Sequence, residues 1–371
     1  MKKIKRNILL NPGPATTTDT VKYAQVVPDI CPREKEFGDI VRELTRDLVK
    51  IVHGEDNYDC ILFGGSGTSG VEAVISSVVP ADKKILVVSN GAYGTRMAAI
   101  AASYGIGTIN YRIPYGDYPD IAAVEELISQ NRNSISHMGI VHHETTTGML
   151  NPVEDFLALA RRYGIELIVD TISSYAGIPI DLRINDYDYI VSTANKNIQG
   201  MAGVSFVICK NSLLNGRAPA GRSYYLNLYQ QYAFLKNSGQ MQFTPPVQVI
   251  YALYQAVKEY FLEGAENRFK RYRENWQILI NGLLEMGFKL LLPLEHQSGL
   301  LTAILDPQDK NYHFNEMHDY LYHRGYTIYP GKGAKESTFR IANIGEIYST
   351  DIKDFLNNLK SYLNQYDIRY F

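Results

Sequence analysis

The sequence predicts an α/β fold in which a large, mostly parallel sheet lies between helices and a smaller α/β part follows. Three observations favour this fold class. Short apolar runs alternate with amphipathic stretches as far as about residue 210, the runs are apolar throughout, and a different pattern begins beyond them. Strands without polar alternation are typical of a parallel sheet that helices cover on both faces.

Five runs predict buried strands, because each is rich in Val and Ile and is bounded by polar residues or Gly. They are DCILFGG, KILVVSN, HMGIVHHE, IELIVDT and YDYIVSTA. The amphipathic stretches between them predict helices. The clearest are GVEAVISSVV, TRMAAIAASYG, IAAVEELISQN and VEDFLALARRYG.

Beyond residue 210 a polar and aromatic segment leads into a long helical stretch from about Val247 to Met286, which is broken near Gly264. Then come two predicted strands (FKLLLP and LTAILDP), a helix (NEMHDYLYHRG), two strands (YTIYP and TFRIANIG) and a last helix (TDIKDFLNNLKSYLNQY). We therefore expect an N-terminal segment of residues 1–15, a large domain over residues 16–255 and a small C-terminal α/β domain over residues 256–371.

Composition argues against several classes of protein. The 371 residues carry 37 basic and 39 acidic side chains, and a net charge of −2 argues against nucleic-acid binding through bulk positive charge. Three cysteines without a CxxC pair predict neither a disulfide framework nor a zinc cluster, and they favour the reducing cytoplasm. No His and carboxylate pair has metal-ligand spacing, so we predict no metal site. No apolar run approaches the length of a transmembrane helix or a signal-peptide core, so we expect no membrane association.

A glycine-rich motif, GSGTSG at 65–70, follows a predicted strand and opens a predicted helix. Glycines let an anion approach the backbone closely, and the free N–H groups of a helix N-terminus favour a phosphate there. A dinucleotide site also needs an acidic residue at the end of the second strand, but that strand ends in Ser89-Asn90-Gly91. The motif therefore favours a phosphate-bearing cofactor without a second nucleotide. A nicotinamide dinucleotide and a turn without a ligand remain the alternatives.

Asp170 ends the predicted strand IELIVD, and Lys196 follows the next predicted strand 26 residues later. Ligands of open α/β sheets bind at the carboxyl ends of the strands, so a carboxylate and an amine would meet there beside the phosphate site. This set matches the needs of pyridoxal 5′-phosphate. The lysine forms a Schiff base, and the aspartate pairs with the pyridine N–H and keeps the ring an electron sink.

With these residues in place, the chain resembles a known family, the fold-type I, class V pyridoxal-phosphate-dependent aminotransferases. The stretches that carry the resemblance run from residue 10 to residue 346: LNPGPATTT, GGSGT, VSNGAYGTRM, HHETTTGMLNP, VDTISSYAGIPID, STANKNIQGMAG, RSYYLNLY, FTPP, IYPGK and FRIANIGE. Within the family, HHETTTGMLNP, RSYYLNLY and FRIANIGE are most similar to the branch that moves the amino group of 2-aminoethylphosphonate to pyruvate. The implied products are phosphonoacetaldehyde and L-alanine, formed in the two half-reactions of a ping-pong cycle.

The resemblance implies a role for each matching residue. Lys196 is the Schiff-base lysine and the proton-transfer base, and Asp170 contacts the pyridine nitrogen. For the cofactor, the implied contacts are Ser66, Gly67 and Thr68 with the phosphate, Thr244 with the phosphate in the other subunit, Tyr93 stacked on the ring, and Thr145 at the ring substituents. For the substrate anion, the implied contacts are Arg340, Gly13 and Arg33.

The resemblance also implies a homodimer with active sites at the subunit interface, lined in part by the N-terminal segment 1–15. Two other interpretations stay open: a sister enzyme of the alanine–glyoxylate or serine–pyruvate type, and a non-catalytic module of the same fold. The role of Arg33 is open too, because beside Glu34 and Glu36 it can be a plain surface charge.

Overall fold

The computed structural model describes residues 3–215, 221–331, 333 and 336–368. The helices are α1 (Asp19–Tyr23), α2 (Lys35–Ile51), α3 (Gly67–Val78), α4 (Ala92–Ser103), α5 (Ile121–Gln130), α6 (Val153–Tyr163), α7 (Asn211–Leu214), α8 (Leu228–Ser238), α9 (Val247–Glu263), α10 (Ala265–Glu285), α11 (Phe314–Tyr322) and α12 (Ser349–Gln365). The strands are β1 (Ile8–Leu9), β2 (Tyr58–Gly64), β3 (Lys84–Ser89), β4 (Gly107–Arg112), β5 (Ile135–Val141), β6 (His143–Glu144), β7 (Met149–Leu150), β8 (Glu166–Asp170), β9 (Tyr189–Thr193), β10 (Val204–Lys210), β11 (Leu301–Leu305), β12 (Tyr326–Thr327), β13 (Tyr329–Pro330) and β14 (Thr338–Ala342). Within these described residues, no helix combines the length and the apolar character needed to cross a bilayer.

Seven strands form the central sheet in the order β2-β10-β9-β8-β5-β3-β4. β10 runs antiparallel to both of its neighbours, and the other pairs in the sheet are parallel. All five strands predicted in the N-terminal half belong to it, so the predicted large, mostly parallel sheet is confirmed. Two strands of the sheet, β4 and β10, were not among the predictions. β4 is an edge strand of exposed and half-buried residues and lacks the apolar pattern, whereas β10 is buried and has that pattern.

Helices cover both faces of this sheet, which explains why its strands are apolar throughout. α2, α5, α6 and α9 pack on one face, and α3, α4 and α8 pack on the other. Two neighbouring residues of β9 illustrate the division, since Ile190 belongs to the first hydrophobic cluster and Val191 to the second. With both faces covered, a ligand reaches the sheet at the ends of its strands.

The C-terminal part is built on a three-stranded antiparallel sheet in the order β11-β14-β13. Its core includes Leu279 from α10, Phe339 from β14 and Phe355 from α12. The N-terminal strand joins this part, because β1 pairs in parallel with β12 and Ile8 lies in the same core. The chain then crosses to the large sheet, where the carbonyl of Pro12 meets the loop after β9.

The predicted break near Gly264 is confirmed, since α9 ends at Glu263 and α10 begins at Ala265. The predicted domain boundary between residues 255 and 256 falls inside α9. The last buried residues of this helix, Val257 and Tyr260, still pack in the core of the large sheet. We therefore propose to place the division at Gly264.

The predicted strand FKLLLP is wrong. In this segment the structure has an isolated bridge between Leu290 and Ile304 instead of a strand. Phe288 and Leu292 are buried, and the short pairing with β11 comprises hydrogen bonds from the Leu291 amide to the Ala303 carbonyl at 3.0 Å and from the Leu305 amide to the Lys289 carbonyl at 2.9 Å. Pro293, which follows, has no N–H to donate to a ladder and so ends the pairing.

Candidate active site

The candidate functional side chains gather at the carboxyl ends of the central strands. Asp170 is the last residue of β8, and Lys196 lies in the loop after β9. These two strands are adjacent, with Asp170 opposite Val191. Tyr93, in the first turn of α4, follows β3, and Thr145 follows β6, the short strand after β5. The parallel topology therefore brings most of the predicted residues to one edge of the sheet.

The glycine-rich turn between β2 and α3 packs closely against its neighbours and ends at a helix N-terminus. Gly65 has a φ of +153°, and a Cβ there would lie 2.5 Å from Ser69 Oγ. A Cβ on Gly67 would lie 2.6 Å from Ile172 Cδ1, so both positions require glycine. Ser66 is the N-cap of α3 but makes no side-chain capping hydrogen bond. Its hydroxyl and the amides of the first turn thus offer donors at the helix N-terminus.

Asp170 is a buried carboxyl, 4% exposed. Its Oδ1 accepts a hydrogen bond from the Ile172 amide at 2.9 Å. Burial raises the pKa of Asp170 to about 7. The charge of Glu144 acts in the same direction, and those of Arg96 and Lys196 oppose it. A cationic group brought against this carboxyl would favour its ionised form.

Lys196 extends its amine beneath the N-terminal segment, where Nζ donates a hydrogen bond to the carbonyl of Pro12. A Cβ on Gly13 would lie 2.4 Å from Nζ, so glycine is required for this close approach. Burial lowers the pKa of Lys196 to about 8, against the opposing charge of Asp170 and together with the charge of Arg340. An amine with this pKa is partly neutral near pH 8, as a nucleophile or a base must be.

Arg340, in β14, contributes a guanidinium from the small domain. Its Nε and Nη2 donate to the carbonyl of Pro330 at 3.2 and 3.0 Å, and its Nη1 donates to the carbonyl of Thr145 at 3.1 Å. The side chain is buried, and burial lowers the pKa of Arg340 below its usual value. The hydrogen bond to Thr145 places the guanidinium beside the candidate site, and its charge lowers the pKa of Lys196.

Arg96, a residue that was not predicted, connects the glycine-rich turn to Tyr93. Its Nη1 donates to Thr68 Oγ1 at 3.1 Å, and its guanidinium carbon lies 4.8 Å from the centroid of the Tyr93 ring. Its charge also lowers the pKa of both Asp170 and Lys196. A signal was present, because VSNGAYGTRM puts Arg96 three residues after Tyr93 and hence on the same face of a helix.

Three buried residues, His142, His143 and Glu144, precede Thr145, and the sequence did not predict their ionisation states. Burial lowers the pKa of His142 to about 3 and that of His143 to about 4, so both rings are neutral near pH 7. Burial raises the pKa of Glu144, and hydrogen bonds from Thr146 oppose this rise. Among the residues that the structure describes, no group of three or more His, Cys, Asp or Glu side chains is placed to hold a metal ion.

Arg33 contacts the chain just before Thr244. The Arg33 guanidinium donates to the carbonyls of Met241 and Gln242 at 2.6 and 2.8 Å, and it lies 5.4 Å from the centroid of the Phe234 ring. Thr244, two residues further on, is exposed. Arg33 therefore holds the backbone that presents Thr244, and its contact with a substrate stays a prediction.

Comparison with known proteins identifies related chains. Residues 18–341 match the family model described as aminotransferase class-V. A Klebsiella pneumoniae protein named 2-aminoethylphosphonate–pyruvate transaminase is 41% identical over 352 residues, which are 94% of this chain and 95% of that protein. A Salmonella paratyphi B protein of the same name is 40% identical over 357 residues, which are 95% of this chain and 97% of that protein.

Solved structures share the fold at lower identity. Alanine–glyoxylate aminotransferase from Nostoc sp. superposes with a TM-score of 0.89 at 23% identity, covering 98% of this chain and 96% of that one. Pyridoxamine–pyruvate aminotransferase from Mesorhizobium loti gives a TM-score of 0.88 at 20% identity, covering 100% of this chain and 95% of that one. At these identities the likeness concerns the architecture alone.

Proposed function

The chain belongs to the class-V aminotransferases, and we propose that it transfers the amino group of 2-aminoethylphosphonate to pyruvate, which yields phosphonoacetaldehyde and L-alanine. The observation that carries this proposal is the identity of 41% and 40%, across nearly the whole chain, to two transaminases named for these substrates. The motifs HHETTTGMLNP and FRIANIGE support it, since they supply Thr145 and Arg340 to the candidate site.

The cofactor of this family is pyridoxal 5′-phosphate, and the residues of the candidate site fit it. The turn after β2 places the Ser66 hydroxyl and the first amides of α3 at a helix N-terminus, where a phosphate is favoured. Asp170 is a buried carboxyl whose ionised form a protonated ring nitrogen would stabilise. Lys196 is a buried amine whose lowered pKa favours the neutral form that would react with the cofactor's aldehyde. When bound, the cofactor supplies an electron sink for the electron pair released at the carbon that carries the amino group.

Each predicted residue has a task in this proposal. Asp170 holds the proton of the ring nitrogen, because a carboxylate stabilises the protonated form. Lys196 holds the cofactor through its amine and, once freed, accepts a proton from the substrate carbon as a neutral base and returns it as an ammonium ion. A pKa of about 8 keeps both forms of this amine accessible. The remaining contacts proposed for the cofactor are Ser66, Gly67, Thr68, Tyr93 and Thr145.

Arg340 is proposed to bind the anionic end of each substrate. Its planar fork of donors suits a carboxylate or a phosphonate, and either anion is a stronger acceptor than the carbonyls of Pro330 and Thr145 that it now contacts. Gly13 is proposed to leave space for the substrate beside Lys196. Arg33 is proposed to act on the site through the segment that it holds.

We propose a homodimer in which Thr244 reaches the phosphate of the partner's cofactor. An exposed aromatic cluster beside this threonine supports the proposal. Tyr224 is 78% exposed and Tyr225 is 44% exposed, and the Tyr225 ring stacks on Phe243 with a centroid separation of 5.0 Å. Exposed clusters of aromatic residues are typical of protein interfaces.

We also propose that the protein acts in the cytoplasm. Its three cysteines, Cys31, Cys60 and Cys209, are free thiols. Free thiols persist in a reducing compartment, which is the argument for this location.

An amine-donor profile tests the proposed function. Purified enzyme is given pyruvate at a constant concentration with 2-aminoethylphosphonate or serine as donor, and then 2-aminoethylphosphonate, serine or alanine with glyoxylate. We expect alanine to form from 2-aminoethylphosphonate and pyruvate. Turnover of serine or alanine without turnover of 2-aminoethylphosphonate would instead identify a sister transaminase. A protein without any turnover, and without a visible cofactor band sensitive to borohydride, would be a non-catalytic module.

A further inference from the structure

The N-terminus of α4 has no capping side chain of its own. Its N-cap is Gly91, and the first amides of the helix, at Ala92, Tyr93 and Gly94, find no acceptor inside the helix. Tyr93 is also the residue proposed to border the cofactor ring, so the placement of this first turn decides where its aromatic ring lies. Acceptors must come from another part of the fold.

Two side chains of residues 144–146 supply these acceptors. Thr146 Oγ1 accepts a hydrogen bond from the Ala92 amide at 2.9 Å. Glu144 Oε2 accepts hydrogen bonds from the amides of Tyr93 and Gly94 at 3.1 and 3.2 Å. Glu144 Oε1 in turn accepts hydrogen bonds from the amide and the hydroxyl of Thr146, at 3.1 and 2.5 Å. Three consecutive amides of α4 are therefore satisfied from outside the helix.

Glu144 occupies a position made for a carboxylate. It is fully buried, with 0% of its surface exposed, and a buried carboxylate is unfavourable unless several hydrogen bonds satisfy it. Here it accepts four, at the end of a helix where the dipole favours negative charge. A Cβ on Gly91 would lie 2.1 Å from Glu144 Cδ, so a glycine N-cap is required for this approach.

The residue between these two side chains contacts the small domain. The carbonyl of Thr145 accepts a hydrogen bond from Arg340 Nη1 at 3.1 Å. Three consecutive residues thus fix the first turn of α4 on one side and the guanidinium on the other. We propose that Glu144 and Thr146 are positioning residues, which place Tyr93 beside the cofactor and Arg340 beside the substrate. This inference rests on the proposed function.

Four variants of the holoenzyme test this proposal. Thr146→Val removes the hydroxyl at nearly constant shape, and Thr146→Ser keeps it as the matched control. Glu144→Gln keeps the size of the side chain but loses the charge. Its amide NH₂ group would also face N–H and O–H groups that now donate to Glu144. Asp188→Asn changes another buried carboxyl, at the opposite end of the sheet, and controls for a general loss of stability. The readouts are hydrogen–deuterium exchange in residues 88–97, the Kd of the cofactor and the KM for pyruvate.

We expect faster exchange in residues 88–97 and an affinity for the cofactor that falls about five- to thirtyfold in Thr146→Val and Glu144→Gln, the range for loss of a helix cap. The KM for pyruvate should rise in both. Thr146→Ser should behave like the wild type, and Asp188→Asn should lower the Tm without changing exchange in residues 88–97. Wild-type exchange and cofactor affinity in Thr146→Val would overturn the proposal, even if Glu144→Gln does not fold.

Failure of the proposed function would be recognised separately. Exchange and cofactor affinity need no substrate, so they test the positioning residues even if the wild type ignores 2-aminoethylphosphonate. An active wild type whose variants keep normal exchange would contradict the positioning role and leave the transaminase activity standing.

Discussion

The two ends of the central sheet each bury an aspartate, but they surround it differently. Asp188, just before β9, is 3% exposed and accepts hydrogen bonds from Arg161 at 2.8 and 3.1 Å and from Lys210 at 3.2 Å. Asp170, at the end of β8, is 4% exposed and accepts a hydrogen bond from the Ile172 amide at 2.9 Å. Because burial is nearly equal, the difference between the two carboxyls lies in their partners.

The lysines at the two ends differ in the same way. Lys210 forms ion pairs with Asp186 at 2.6 Å and with Asp188 at 3.2 Å. Lys196 donates to the carbonyl of Pro12, and burial lowers the pKa of its amine to about 8. One end of the sheet thus has its charges neutralised by the fold. The other end, with Asp170 and Lys196, is called the ligand end below. Burial disfavours the charged forms of both groups there, which lowers stability but suits a ligand of complementary charge.

The largest expected effect comes from removing the amine at the ligand end. Lys196→Ala should lower kcat by about 10⁴-fold or more, because the group proposed to hold the cofactor and move the proton is lost. Lys210→Ala is the matched control at the other end and should lower the Tm while keeping kcat near the wild-type value. Rates of alanine formation and thermal melts measure both. Equal losses of activity would contradict the division between the two ends.

The two aspartates give the next test. Asp170→Ala should lower kcat on the order of 10²- to 10³-fold, the usual effect of removing one preorganised electrostatic partner. Asp188→Ala should instead lower the free energy of unfolding by about 2 kcal/mol, because Arg161 and Lys210 lose the carboxylate between them. Steady-state kinetics and urea unfolding separate these outcomes. If Asp188→Ala also removed activity while the protein stayed folded, the comparison would fail.

The ligand end could be predicted from sequence because its main residues obey a rule of topology. Apolar strands that alternate with helices predict a parallel sheet, and the carboxyl ends of adjacent parallel strands lie together. Asp170 ends one such strand and Lys196 follows the next. If the two strands are neighbours, the two side chains must lie at the same edge of the sheet. The glycine-rich turn is also local, since its glycines and its helix N-terminus are consecutive in sequence.

The contacts that tune this end could not be predicted, because they join distant segments. Glu144 reaches the Tyr93 amide across 51 residues, and Arg340 reaches the Thr145 carbonyl across 195 residues. No periodicity records such separations. The strand predicted for FKLLLP is wrong for a related reason. An apolar run indicates that residues are buried, but it does not indicate how far they pair with another strand.

Arg340 sharpens the comparison, since it brings a cation to the ligand end from the small domain. Arg340→Ala should raise the KM for pyruvate about 30-fold, near the lower limit for loss of a charged contact, because carbonyls already compensate the free guanidinium. The affinity for the cofactor should change little. Arg33→Ala should do the reverse, weakening the cofactor through the segment of Thr244 without raising the KM. Equal effects of both variants on the KM would indicate that Arg33 contacts the substrate directly.

The last test concerns the stability of the cofactor-free protein and does not involve catalysis. An unfolded aspartate has a pKa of about 3.9, whereas burial raises the pKa of Asp170 to about 7. Between these values the folded state holds a proton that the unfolded chain has released, so the free energy of unfolding falls as the pH rises, by up to about 4 kcal/mol. Asp170→Asn removes this dependence, so the variant should be more stable than the wild type at pH 8 and nearly equal to it at pH 4. Urea unfolding at several pH values measures the difference. A difference that does not grow with pH would contradict the raised pKa of Asp170.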